Sequence, residues 1–454
     1  MEWTIRLEVK TSGGEVESLD LATITRPPVM AAAAAEVGLS LAEGKALLAG
    51  LQAAMVRQQL AEHVALDRVC PSCQAVRRTK DRRPRRLQTL FGTVEIEAPR
   101  LKPCPCRQGA GQSGATVSPV GDLLRGARCT PELERVQAEL GARTSFREAA
   151  RILTALLPVG AANHAGVRNR THAVGRRLEA EAPSPAATSG PTPDEIVVAL
   201  DGAYVQAAPG CQTRHFEVVL GKVEAGSRPS RRFALVARAA EHPHTLLRDA
   251  LADQGWTAGK PITAISDGDP ALPALVGAAT RAPVRHISDW FHLSMRVRHV
   301  EQVVQGLSVL GPSCSLPLDW AQAEVGRLRH LLWNGRHEEA HAVLGTVAAI
   351  AGTIGPLNGP GFERKAARLA ALCRELRGYI GNNRASLIDY GRRHRAGEPI
   401  SSSRAESTVN QLVNARMNKR RQMRWSPRGA HRLLQVRAAV LDGRLHEPDL
   451  RAAA

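Results

Sequence analysis

Ile196-Val-Val-Ala-Leu-Asp201-Gly202 and Ile262-Thr-Ala-Ile-Ser-Asp267-Gly-Asp269 are two short apolar runs, each ending in an aspartate. Runs of this length bounded by turn residues read as strands buried on both faces. Working outward, Arg214 to Val223 and Arg231 to Arg238 are strand-like, and His244 to Gln254 is helical. Ala271 to Ala279 follows as a helix and Val284 to Ser288 as a strand. The order is three strands, helix, strand, helix, strand.

That order is the element order of the ribonuclease H-like fold, in which strands one and four are neighbours. Asp201 and Asp267 then meet at one edge of the sheet, with Gly202 leaving room for a phosphate. Two-metal phosphoryl transfer needs several carboxylates converging on one point. A third candidate is Glu406, in the Ser-rich and Arg-rich start Ser401-Ser-Ser-Arg-Ala-Glu406 of a final basic helix. Asp269 competes with Asp267 for the second position, but it precedes Pro270, where capping the next helix suffices as a role. Between the second and third acids, 293 to 400 reads as a large all-helical insertion. Ala321 to Leu332, Arg336 to Ile350 and Glu363 to Ile380 carry helical periodicity. Trp333 and Trp320 in that insertion suit core packing better than stacking on a flipped base.

Upstream, Ala182 to Asp194 is rich in Pro, Ser and Ala and reads as a linker. Before it, 121 to 181 reads as three helices resembling a helix-turn-helix. Its third helix carries Asn163, His164, Arg168, Asn169 and Arg170 towards a major groove. Residues 1 to 120 open with a hairpin-like alternation around Gly13-Gly14. A helix follows, started by the capping box Ser40-x-x-Glu43. Cys70-Pro-Ser-Cys73 and Cys104-Pro-Cys106 then supply four thiolates, enough for a structural zinc in a zinc-ribbon-like module, although the second pair and the long spacing depart from the usual ribbon. Between the pairs lie the basic run Arg77 to Arg86, available for phosphate contact, and a strand-like Phe91 to Glu97. Cys129, Cys211, Cys314 and Cys373 are isolated and read as structural.

The formal charge of +18 and pI near 10.4 are spread over arginine-rich helices, so a large polyanion is the natural partner. The longest apolar runs, such as Val347 to Ile354, fall short of the roughly 20 residues that span a bilayer, and no signal-peptide pattern opens the chain. A cytoplasmic protein without a membrane partner is the expectation.

Four segments together resemble bacterial insertion-sequence transposases of the ISKra type, relatives of the ISL and Mutator-like groups. They are Val198-Ala-Leu-Asp-Gly-Ala-Tyr204, Ile265-Ser-Asp-Gly-Asp-Pro-Ala-Leu272, Ser288-Asp-Trp-Phe-His292 and Arg404-Ala-Glu-Ser-Thr-Val-Asn410. The likeness runs from about Val197 to Leu441 and more loosely over the N-terminal half. It implies a DDE transposase whose Asp201, Asp267 and Glu406 hold two magnesium or manganese ions. Asp289 and His292 match a conserved Asp/Cys-x-x-His pair of that family. Double-stranded DNA, as transposon ends and target, is the implied partner, and it is bound by a homodimer or higher homo-oligomer in the bacterial nucleoid. Arg404, Arg416, Lys419, Arg420 and Arg424 add basic contacts in the last segment, 401 to 454. The alternatives are a nuclease of the same fold that cuts without strand transfer, and a transposase-derived DNA-binding regulator that has lost catalysis.

Overall fold

The computed structural model describes residues 1–11, 14–27, 37–104, 106, 116–180, 195–226, 228–309, 315–401, 409–417 and 423–445. The linker 182–194, Cys314 and Glu406 lie outside them, as do Arg404, Lys419 and Arg420. The chain divides into two compact units, Met1–Val174 with the C-terminal end, and Gly175–Arg444.

In the first unit, β1 (Glu2–Lys10) and β2 (Val16–Thr25) form the expected hairpin, with a register shift at Ile5/Arg6. Helix α1 (Leu41–Arg68) starts at a complete capping box: Ser40 accepts the Glu43 N–H, and the Glu43 carboxylate accepts the Ser40 N–H. A second antiparallel pair follows, β3 (Thr79–Thr89) and β4 (Gly92–Leu101). The basic run is therefore itself a strand. Its partner carries acids within reach, so Arg86 meets Glu95 directly opposite at 2.9 Å and Arg82 meets Glu97 on the diagonal at 3.2 Å. Val56 and Leu60 of α1 bury Leu87, Val94, Ile96 and Ala98 of this hairpin, together with Val120 of the short helix α2 (Pro119–Leu123).

Three helices complete the unit: α3 (Pro131–Arg143), α4 (Phe146–Leu156) and α5 (His164–Ala180). Ser145 caps α4 through the Glu148 N–H. The connection from α4 to α5, Leu157–Asn163, is longer than the three or four residues of a helix-turn-helix turn.

The second unit contains a five-stranded sheet in the order β7-β6-β5-β8-β9. Its strands are β5 (Ile196–Gln206), β6 (His215–Glu224), β7 (Arg231–Leu235), β8 (Ile262–Ser266) and β9 (Val284–Ser288). β5 and β8 are parallel neighbours, β8 and β9 are parallel, and β6 and then the edge strand β7 add antiparallel pairs on the other side. One face, carrying Val198, Leu200 and Ala264, is covered by α6 (Pro243–Asp253) and α7 (Ala271–Thr280). Val197, Ile265 and Ile287, on the other face, share a core with a helical bundle. That bundle comprises α8 (Trp290–Ser308), α9 (Ser315–Trp333), α10 (His337–Ile354) and α11 (Gly359–Asn382), with the short α12 (Tyr390–Arg395) after them.

The stretch 337–382 is long and apolar enough by length and composition to cross a membrane, with a mean hydropathy of 1.5 in its richest window. The 3-10 turn Pro356–Asn358 breaks it into α10 and α11, and Leu344, Val347 and Ile354 lie in one core with Phe362, Ala366 and Leu369. Helix α13 (Pro427–Leu441) packs on β7, where Gln435 donates to the Ala234 carbonyl at 2.8 Å.

The boundary between the units falls inside α5, before the Pro-rich segment. A Cβ at Gly175 would lie 2.1 Å from the Arg432 carbonyl oxygen, so only glycine lets α5 approach α13 there. One turn later, Glu179 meets the buried His431 at 3.0 Å. These contacts assign the last turns of α5 to the second unit.

Candidate active site and metal centre

Strand register sets up the carboxylates. Pairing runs through Ala199↔Ile265 between β5 and β8, and through Ser266↔Ser288 between β8 and β9. Continuing that register past the last paired residues brings Asp201 level with Asp267 and Asp267 level with Asp289, with Asp267 and Asp289 lying just beyond the ends of β8 and β9. The three aspartates so form one row, Asp201 within β5 and the other two at the ends of β8 and β9, near enough for Asp267 and Asp289 to act on the Asp201 carboxyl. Alternation along each strand puts the row on the face of Val197, Ile265 and Ile287, the face covered by the helical bundle.

Asp201 does not end its strand, contrary to the sequence expectation. β5 continues to Gln206 because β6 pairs with it over its whole length, and β8 alone stops at the aspartate. The nearest group beside Gly202 is the end of a flexible acidic side chain. A Cβ there would lie 3.1 Å from Glu217 Oε1. Gly202 serves Asp201 through its backbone, donating its N–H to Asp201 Oδ1 at 2.8 Å.

Burial is the main cause that lifts the Asp201 carboxyl to about 6. His292 and the Gly202 N–H pull it back down, while the charges of Asp267 and Asp289 push it up. Like charges facing one another in a half-buried row are what a divalent cation would relieve.

Asp267 is half-buried, and its Oδ1 accepts the Asp269 N–H at 3.2 Å. Asp269 is exposed and accepts the Ala271 N–H at 2.9 Å, at the start of α7. Gly268 between them has φ +99°, and a Cβ there would come within 2.9 Å of both Tyr379 of α11 and Asn383, the residue that ends it. The Tyr379 hydroxyl donates to the Asp267 carbonyl oxygen at 3.0 Å, and the Arg296 guanidinium lies 4.7 Å from its ring centroid.

Asp289 is fully buried and caps α8 by accepting the Phe291 N–H at 2.8 Å. His292 Nε2 lies 3.7 Å from Asp289 Oδ2. At that distance His292 makes no hydrogen bond to Asp289, and it acts on the row electrostatically, drawing the Asp201 carboxyl down. Tyr379, Arg296 and His286, which bonds Ser266 Oγ at 2.9 Å, were invisible in the sequence as parts of this neighbourhood. Isolated residues on amphipathic helices or strand edges carry no mark of which strand end they will meet.

Among the described residues, the group of three or more candidate ligands gathered within 4.8 Å is Cys70, Cys73, Cys104 and Cys106. The three aspartates do not gather that closely. The Cys70 and Cys106 sulfurs are 3.6 Å apart and those of Cys73 and Cys104 are 3.3 Å apart. Tetrahedral zinc with about 2.3 Å bonds to sulfur sets its ligands about 3.8 Å from one another, so the quartet fits a structural zinc. Cys70 is drawn down to about 5, first by the Cys73 N–H and then by the Ser72 N–H, which favours the thiolate a metal needs. The long spacing between the pairs is taken up by β3 and β4, which run out and return the chain to its start, Thr79 opposite Leu101.

Of the residues assigned to DNA, His164, Arg168 and Asn169 are exposed on α5. Asn163 is also exposed, but it caps the helix by accepting the Ala165 N–H at 2.8 Å. Arg170 donates to Gln137 at 2.6 Å and to Gln88, so it braces α5 within its own unit. Arg416 corrects the sequence reading. It is fully buried, with its guanidinium 5.2 Å from the Trp425 ring centroid, and a side chain packed there is withdrawn from a DNA surface. Arg424 is exposed. Trp333 packs edge-on to Trp290 at 4.9 Å as a core residue, while Trp320 is exposed. No protein-family model matches this chain, and no curated protein matches it either.

Proposed function

We propose that this protein is a metal-dependent DNA phosphoryl-transfer enzyme, a DDE transposase that binds transposon ends and cuts and joins DNA strands. The nearness of Asp201, in the interior of β5, to Asp267, which directly follows its parallel neighbour β8, carries the reading. Open α/β sheets place their chemistry at the carboxyl ends of strands. The strand order supports a ribonuclease H-like core, and the helices between β9 and α13 correspond to the expected insertion.

Asp201 and Asp267 would supply two of the metal-holding carboxylates, and Glu406 the third. Two magnesium or manganese ions, when bound, polarise the scissile phosphate and activate the attacking hydroxyl. The residues present do the positioning. The Gly202 N–H fixes one Asp201 oxygen, Tyr379 fixes the Asp267 turn, and the Asp289–His292 pair sets the start of α8 beside them. DNA is the substrate class that fits a charge of +18 and the exposed His164, Arg168 and Asn169 of α5.

The test uses labelled DNA bearing the inverted repeats that flank the gene, in magnesium and in manganese. Asp201→Asn, Asp267→Asn and Glu406→Gln should each abolish cleavage and joining with end binding retained. An amide keeps the carboxylate's size and removes its charge. Asp269→Asn should keep substantial activity, since that side chain caps α7. Full activity in Glu406→Gln would overturn the three-carboxylate site. Cleavage without joining would turn the enzyme into a nuclease.

A further inference from the structure

Beyond the carboxylate row, β5 runs on for five residues to Gln206, about 16 Å at roughly 3.3 Å per residue. There the chain turns through Ala207–Arg214 into β6, and a pocket opens. It is lined by Gln206, Cys211, Gln212, Thr213 and Arg214, and by Arg424 from the far end of the sequence. No acidic side chain lines it among the described residues. The cavity that touches β5 at Val197 and Ala199 differs in this respect, as Glu224 and Glu398 line its wall.

Backbone pairing brings Arg424 to the pocket that Arg214 also lines. Trp425 pairs with Ala207 in a short parallel bridge, its N–H donating to the Gln206 carbonyl at 2.9 Å while the Ala208 N–H donates to the Trp425 carbonyl at 2.8 Å. Trp425 is itself buried, so this bridge is anchored and fixes the backbone that carries Arg424 into the lining of the same pocket as Arg214. Two guanidinium forks, an amide-rich wall and a hydroxyl are the donor set that recognises a phosphate by charge and geometry.

We infer that this pocket is a phosphodiester-binding subsite, in which Arg214 and Arg424 hold the backbone of the DNA strand that leads away from the carboxylate row. The inference deepens the DNA reading and rests on it. The span from Asp201 places the held phosphate a few nucleotides from the reacting one. A clamp at that distance fixes the direction of the strand and reads no sequence.

The experiment uses the full-length protein and fluorescein-labelled duplex DNA of arbitrary sequence. Binding is titrated over a range of salt for the wild type and for the double variant Arg214→Gln, Arg424→Gln. Alkylation of Cys211 by iodoacetamide is followed by peptide mass spectrometry with and without that DNA. Both arginines are exposed, so the variant should fold, and circular dichroism checks it. Each lost phosphate contact lowers the slope of log K against log salt by about one, so the double variant should lose about two. DNA should shield Cys211 several-fold in the wild type, with the shielding gone in the variant. An unchanged slope with Cys211 alkylated at the same rate overturns the subsite alone. Absence of any salt-sensitive binding by the wild type overturns the DNA reading itself.

Discussion

Asp201 carries its charge against its surroundings, because burial and two neighbouring aspartates raise its carboxyl from 3.8 to about 6. A folded-state value above the unfolded one means that the penalty is fully present above about pH 6 and vanishes as pH falls towards the unfolded value. Asp201→Asn should therefore stabilise the metal-free protein at pH 7.5 by about 1–2 kcal/mol, after allowing for partial exposure. Chemical denaturation at pH 7.5 and pH 4 checks this, and an equal effect at both would show that charge is not the cause. Asp201 and Asp267 were legible in the sequence because each closes a run of apolar residues, and that pattern is local. Tyr379 was not, since what matters about it is the Asp267 carbonyl it meets, over a hundred positions earlier in the chain.

Elements were legible in proportion to their periodicity. The five strands of the large sheet and the long helices of the bundle stand where the apolar pattern puts them. The basic strand β3 was hidden, because Arg and Pro are poor strand formers in isolation. Here they are held by cross-strand acids and by Leu87, which packs with Val56 and Leu60 of α1. The hairpin in turn explains how two distant cysteine pairs come to share one site. Metal analysis of the purified protein should find about one zinc per chain, lost in the double variant Cys70→Ser, Cys73→Ser. Limited proteolysis should then open the β3–β4 hairpin in that variant while the bundle stays resistant. Full zinc retention would remove the cysteine site from the account.

The two compact units give the molecule a separable recognition half in the functional proposal, and the place of the cut matters. A fragment beginning at Asp194 loses Glu179 and leaves His431 buried without its carboxylate, whereas one beginning at Gly175 keeps both. The Gly175 fragment should retain salt-sensitive, sequence-blind DNA binding and lose its preference for the transposon ends, as gel-shift competition would show. Retained preference would move end recognition into the second unit. The aspartate row has a consequence for how such a chain can diverge. Which side of the sheet each carboxylate faces is set by strand register, so the crossovers through α6 and α7 can lengthen or shorten freely. A single inserted residue within 196–201 or 262–267 turns one carboxylate to the opposite side of the sheet. Descendants of this sequence should therefore drift in the spacing between those windows while tolerating no gap inside them.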